Sequence, residues 1–199
     1  MPRISLTDFV DIVSKSGTPK ANKVAQIKNR PEYGPALDFY KPIREFIVDN
    51  HKRSLPKFAT PAALACVGDP KKKTNYEAVA EGYRKWWGNK TLEWFEPPVA
   101  TFSAHGVDVV VNPELGLVVN GRPLVIKLYF KADPLSKARI DVVTHMMEET
   151  LRPGLSGGET MAVLDVRRAK LISPTVAIPR LTAALNAELA YVAALWESV

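Results

Sequence analysis

Apolar positions recur along this chain with two different periods, and the change between them falls near residue 90. Before that point the spacing is helical. Ser5 reads as a helix cap with Asp8 three residues on, and Phe9, Ile12 and Val13 follow on one face until Gly17 closes the segment. Thr18-Pro19 opens a second helix with Val24 and Ile27 on its apolar side. Two short helices about a glycine suggest a helix-turn-helix, but the interior spacing fits that motif poorly. A longer helix is predicted over about 36–52, with Leu37, Tyr40, Ile43 and Ile47 as its buried stripe and Pro42 marking either a kink or the true start. Residues 55–73 read as loop, and 75–87 as a helix carrying Tyr76, Val79, Ala80, Tyr83 and Trp87 at helical spacing.

After Gly88 the pattern favours strands, over 92–95, 99–102, 107–111 and 115–119. Asn120-Gly121 is a strong hairpin signal, and 123–131 returns as a second long strand. A helix over 136–151, a loop over 153–158, an apolar strand over 161–166 and a final helix over about 179–196 complete the order. Clustered strands with flanking helices predict an α+β fold. Its central mixed or antiparallel sheet takes in about residues 92–131 and 161–172, and its N-terminal half is basic and mostly helical. Gly88 and Pro97-Pro98 divide a region 1–90 from a region 91–199. The two are expected to pack as one unit, since a sheet with only two helices would leave a face uncovered.

Composition narrows the class. At 199 residues, 46% hydrophobic and 24% charged, the chain can bury one substantial core and is unlike a disordered sequence. No apolar run nears the roughly 20 residues that span a bilayer, and the acids Asp8 and Asp11 make the N-terminus unlike a signal peptide. The single cysteine, Cys66, excludes an internal disulfide and a multi-cysteine metal site, and within AALACV it reads as a small buried hydrophobe. A cytoplasmic protein without membrane contact is expected. His51, His105 and His145 lack metal-ligand spacing, and Gly154–Gly158 has no phosphate-loop lysine, so zinc, redox and nucleotide-dependent chemistry find no motif.

Charge points to a partner. Residues 1–90 hold 17 Lys+Arg against 9 Asp+Glu, whereas 91–199 hold 10 against 12. A basic half on a chain of net charge +6 is suited to a polyanion, with a solubilising surface as the plainer alternative.

Candidate chemistry lies in VVVNPELGLVVNGRPLVIKLYFK, residues 109–131. Alternation along the second hairpin strand puts Val125, Lys127 and Tyr129 on one face and Ile126, Leu128 and Phe130 on the other. A lysine in so apolar a strand needs a carboxylate, for which Glu114, Asp108 and Asp141 are the candidates. Carboxylates gathered about a lysine suit metal-dependent phosphodiester cleavage, the acids holding Mg²⁺ and the lysine offsetting developing negative charge. The plainer alternative makes Glu114 a turn residue and Lys127 a side chain that snorkels at a sheet edge.

These residues resemble the PD-(D/E)XK nuclease superfamily over about 36–172, in the order helix, β-meander, helix, strand. The resemblance makes Pro113-Glu114 the Pro-acid element, Lys127 the final lysine and Glu45 an accessory acid on the preceding helix. The chain departs from the pattern at Val125, where the family has an acid. Asp141, on the helix 14 positions beyond Lys127, would supply the missing carboxylate, with Glu148 and Glu149 as weaker substitutes. The resemblance thus implies catalytic Glu114, Lys127, Asp141 and Glu45, with Mg²⁺ on Glu114, Asp141 and Asp108.

A second cluster, residues 71–90, combines Lys71, Lys72, Lys73, Arg84 and Lys85 with Trp86 and Trp87. Cations track phosphates and an exposed indole stacks on bases. Trp87 falls on the buried stripe, so Trp86 is the expected contact. Arg167-Arg168, ending the strand MAVLDVRR, is the third candidate for a phosphate, unless Asp165 pairs with one of them. The expected partner is nucleic acid, DNA or RNA. A non-catalytic binding or adaptor protein and a protein-interaction module using the last helix are the alternatives.

Overall fold

The computed structural model describes residues 1–31, 38–56, 69–174 and 179–199. Its elements in chain order are β1 (Arg3–Ser5), α1 (Leu6–Val13), α2 (Gly17–Lys28), α3 (Lys41–Lys52), α4 (Pro70–Trp87), β2 (Leu92–Phe95), β3 (Ala100–Ala104), β4 (Val107–Val111), β5 (Leu115–Val119), β6 (Arg122–Tyr129), α5 (Lys137–Leu151), β7 (Thr160–Asp165), β8 (Lys170–Ile172) and α6 (Pro179–Ser198). The fold is α+β, with helices on both sides of sheet.

Two sheets stand where one was expected. A five-stranded mixed sheet runs β2-β5-β6-β7-β8, with only β6 and β7 parallel. A three-stranded sheet runs β1-β4-β3, and β1 pairs in parallel with β4. The division follows the prolines. Pro97-Pro98 interrupts the ladder between β2 and β3, and Pro113 interrupts it between β4 and β5, because neither can donate a backbone hydrogen bond. The hairpin between them leaves the larger sheet and recruits β1, too short a segment to show a period of its own.

Local signals explain most boundaries. Ser5 Oγ accepts from the Asp8 N–H at 3.1 Å and donates to the Asp8 carboxylate at 2.8 Å, closing the cap of α1. Asn120 and Gly121 both take positive φ, as the two-residue β5–β6 hairpin requires. His105-Gly106 does the same for β3–β4, so this histidine serves a turn. Pro42 lies in the first turn of α3 and marks its true start. Helix α4 begins earlier than the apolar stripe suggested, because Asp69 accepts from the N–H groups of Lys71 and Lys72 and Pro70 stands at the first position. The readings of Leu37, of the loop over 57–68 and of Cys66 lie outside the described residues.

Alternation along β6 divides the interior in two. Val125 faces a core shared with α1, α2, α5, α6 and the smaller sheet, where Phe9, Ile12, Val109, Met147 and Leu189 are buried. Leu124, Ile126 and Leu128 face a second core beneath α3 and α4, with Ile43, Ile47, Tyr76 and Tyr83. Helix α4 lies so close to the end of β7 that a Cβ on Gly82 would overlap the Val166 carbonyl oxygen and stand 3.0 Å from the Arg167 Cα.

Candidate functional site

The register of β5 against β6 pairs Leu115 with Ile126, and one step further brings Glu114 opposite Lys127. Glu114 Oε1 accepts from the Lys127 ammonium at 2.6 Å, while Oε2 accepts from the Leu128 N–H at 2.7 Å. The ammonium also donates to the Asn112 carbonyl at 2.8 Å. The two side chains are only 10% and 12% exposed, so each charge depends on the other. Among the three candidate partners for Lys127, Glu114 is the one in contact.

This pair lines a cleft of about 720 Å³. Its walls come from the start of α1, the segment Asp38–Arg44, residues Asn112–Glu114, the end of β6 through Lys131, and Arg139 and Val143 of α5. Ion pairs line it. Asp8 meets Arg30 at 2.7 Å and Asp38 meets Arg44 at 2.6 Å. Asp11 is shared by three cations, Lys131 at 3.0 Å, Arg139 at 3.1 Å and Lys23 at 3.9 Å. Tyr129 lines the same wall between Lys127 and Lys131, and its hydroxyl donates to the Asp133 carbonyl at 2.9 Å.

The remaining expected site acids stand elsewhere. Glu45 is largely exposed and lies 3.7 Å from Lys41. Asp108 accepts from Ser103 Oγ at 2.6 Å, on the face of β4 opposite its buried valines. Asp141 takes the Lys137 ammonium at 2.6 Å. On α5 the cleft-facing positions are Arg139 and Val143, one turn apart, and Asp141 lies about 200° around the helix from Arg139. Val125, at the position where an acid would complete the motif, is fully buried in apolar core. The described residues form no group of three or more acidic, histidine or cysteine ligands suited to a metal ion. With both Glu114 oxygens engaged, the described site does not fit Mg²⁺ as expected.

The basic-aromatic cluster also differs from expectation. Trp86 is 3% exposed and packs with Tyr83, whereas Trp87 is half-buried and lies over the His51 ring at 4.7 Å between centroids. Val79, Tyr83 and Trp86 continue one stripe at spacings of four and three, which takes Trp86 inward. Lys71, Lys73, Arg84 and Lys85 are exposed and Lys72 half-buried. Glu77 and Glu81 are exposed too, four residues from Lys73 and Lys85 respectively, so that face alternates in sign instead of forming a basic stripe.

Arg167 and Arg168 are tied to the frame. Arg167 Nε donates to the Phe130 carbonyl at 2.7 Å, and its Nη2 reaches Asn75. Arg168 pairs with buried Asp165 at 3.1 Å and donates to the Ala132 carbonyl at 2.6 Å. On α6, Leu185, Leu189 and Val192 are buried in the first core, while Leu181, Leu195 and Trp196 are partly buried and Tyr191 is exposed.

Most charged cleft residues escaped the sequence reading, Lys131, Asp11 and Arg139 among them. Lys131 was within reach, because the alternation that selects Lys127 and Tyr129 continues to it. Asp11 and Arg139 gave no local signal, since their contact joins residues 128 positions apart.

No family model, no curated protein and no solved structure matches this chain.

Proposed function

We propose that the chain is a nucleic-acid-binding protein whose cleft is built on a nuclease-like core. The contact between Glu114 and Lys127 carries this reading. A Pro-acid step at the mouth of one strand and a lysine on the next are the two motif positions that the PD-(D/E)XK resemblance picks out. Helix α4, strands β2, β5 and β6 of the larger sheet with the β3–β4 hairpin inserted between β2 and β5, helix α5 and strand β7 succeed one another along the chain. The cations on the cleft wall and the net charge of +6 supply attraction for phosphates. A single cysteine and the absence of any long apolar helix among the described residues suit a cytoplasmic setting.

The catalytic form of this reading is metal-dependent phosphodiester cleavage. It is favoured by the Glu114–Lys127 contact itself and opposed by Val125 and by the positions of Asp141 and Asp108. Binding is therefore the function the geometry supports best. Incubation with single- and double-stranded DNA and RNA in Mg²⁺ or Mn²⁺ separates the two, with Glu114→Ala and Lys127→Ala as controls. Retained binding without cutting is the expected result. Cutting that vanishes in both variants would establish the catalytic form instead, and failure to bind any of the four nucleic acids would remove the reading altogether.

A further inference from the structure

The cleft wall carries an excess of positive charge at one place, and an aromatic ring stands beside it. Asp8, Asp38 and Glu114 each sit against one cleft cation, whereas Asp11 is shared by Lys131, Arg139 and, just behind, Lys23. Of these, only Lys131 and Arg139 line the cleft, so one carboxylate between two cations leaves a local charge of about +1 at the rim, with Lys23 behind it. Lys131 keeps a side-chain exposure of 39%, so its ammonium can turn to a ligand without losing burial, while Arg139 holds Asp11. Alternation along the strand puts Lys127, Tyr129 and Lys131 on one side at steps of two residues, and all three line the cleft. Lys131 lies two residues beyond the end of β6, and the half-buried Tyr129 ring, packed against the first core on one side, lies between it and Lys127 in the chain.

We propose that Lys131 and Arg139 form a phosphate subsite and Tyr129 a base platform, so that the cleft takes an unpaired nucleic-acid strand in preference to a duplex. The proposal rests on the nucleic-acid reading above and specifies its substrate class. A base in a duplex is stacked and paired and has no free face for Tyr129, whereas a single strand offers both its backbone and its bases. No exposed basic helix is needed to fit a groove, consistent with the alternating charges on α4. DNA and RNA share this chemistry, and only the 2′-hydroxyl separates them.

The test is fluorescence anisotropy with labelled single-stranded DNA, single-stranded RNA and the matching duplexes, in EDTA, over a range of salt. The full chain is compared with Lys131→Gln, Tyr129→Leu and Tyr129→Phe, each verified as folded by its thermal melt. Single strands should bind more tightly than duplexes. Lys131→Gln should weaken them and lower the salt slope by about 0.7. Tyr129→Leu should weaken them by about fivefold or more, while Tyr129→Phe, which keeps the ring, should leave affinity close to the parent. Equal affinity for duplex and single strand, or an unchanged salt slope in Lys131→Gln, would overturn the proposal. Single-strand binding that depends on Lys131 and Tyr129 in a protein that never cuts would support it while removing the catalytic form. In a parallel incubation with Mg²⁺ in place of EDTA, duplex cleavage that depends on Glu114 but ignores Lys131 would do the reverse.

Discussion

Glu114 is held at both oxygens, by the Lys127 ammonium at 2.6 Å and by the backbone N–H of Leu128 at 2.7 Å. The carboxylate therefore bridges a side chain and the strand that carries it, and the pair is a structural joint between β5 and β6 as well as a candidate site. Removing either charge alone leaves the other buried and uncompensated. Lys127→Met or Glu114→Gln alone should each lower unfolding stability by about 3–5 kcal/mol. The double variant should recover most of that loss, because the partner charge is removed together with its need for a counter-ion. Urea unfolding of the four proteins gives the coupling, and additive losses would show that the pair contributes nothing as a unit.

His51 stays neutral to lower pH than a surface histidine does. Burial lowers its pKa to about 4, and Nε2 lies 2.7 Å from the Tyr83 hydroxyl beneath the Trp87 ring. Because the folded pKa is below the unfolded value near 6.5, the unfolded chain takes up the proton first. Its contribution to stability is full above pH 6.5 and is lost as pH falls through 6.5 toward 4, by up to a few kcal/mol. The urea midpoint should decline over that window, and His51→Gln should flatten the decline. An identical slope in the variant would assign the pH dependence to other groups.

Gly82 offers a test in which packing opposes helix propensity. Alanine in the middle of a helix ordinarily stabilises it by up to about 1 kcal/mol over glycine. Here the added methyl meets the backbone of Val166 and Arg167, which cannot turn aside as a flexible side chain would. Gly82→Ala should therefore destabilise, by about 1–3 kcal/mol, as α4 is pushed off the end of β7. A raised melting temperature would mean that the helix moves away without loss.

Periodicity reached as far into this fold as local patterns extend. The Asn-Gly hairpin, the Ser5 cap and the alternation that pairs Lys127 with Tyr129 are all properties of neighbours in sequence, and each agrees with the structure. Strand β1 is three residues long and depends on β4, more than a hundred positions away, so no window could show it. Trp86 and Trp87 were exchanged because adjacent helix positions differ by only 100°, and the border of a stripe cannot be fixed that finely from spacing. Asp141 followed from position counting along a motif, whereas its direction is set by the rotation of α5, which Arg139 and Val143 reveal.

The lysines at the start of α4 should act at long range. Lys71→Glu with Lys72→Glu should weaken binding to every sequence alike and lower the salt slope, without altering the preference between single strand and duplex. Competition assays at two salt concentrations suffice. A changed preference would show that these lysines contact the strand within a specific arrangement.

The pairing of β1 with β4 has a consequence for the order of events during synthesis. Helices α1 and α2 bury Phe9, Ile12 and Val24 in a core that also needs Val109, Met147 and Leu189. Until translation has passed β4, the smaller sheet has no strand for Arg3–Ser5 to join, and until α6 emerges the outer side of that core stays open. Helices α1 and α2 are thus sheltered only after residues made much later have emerged, leaving their apolar stripe accessible to chaperones until then.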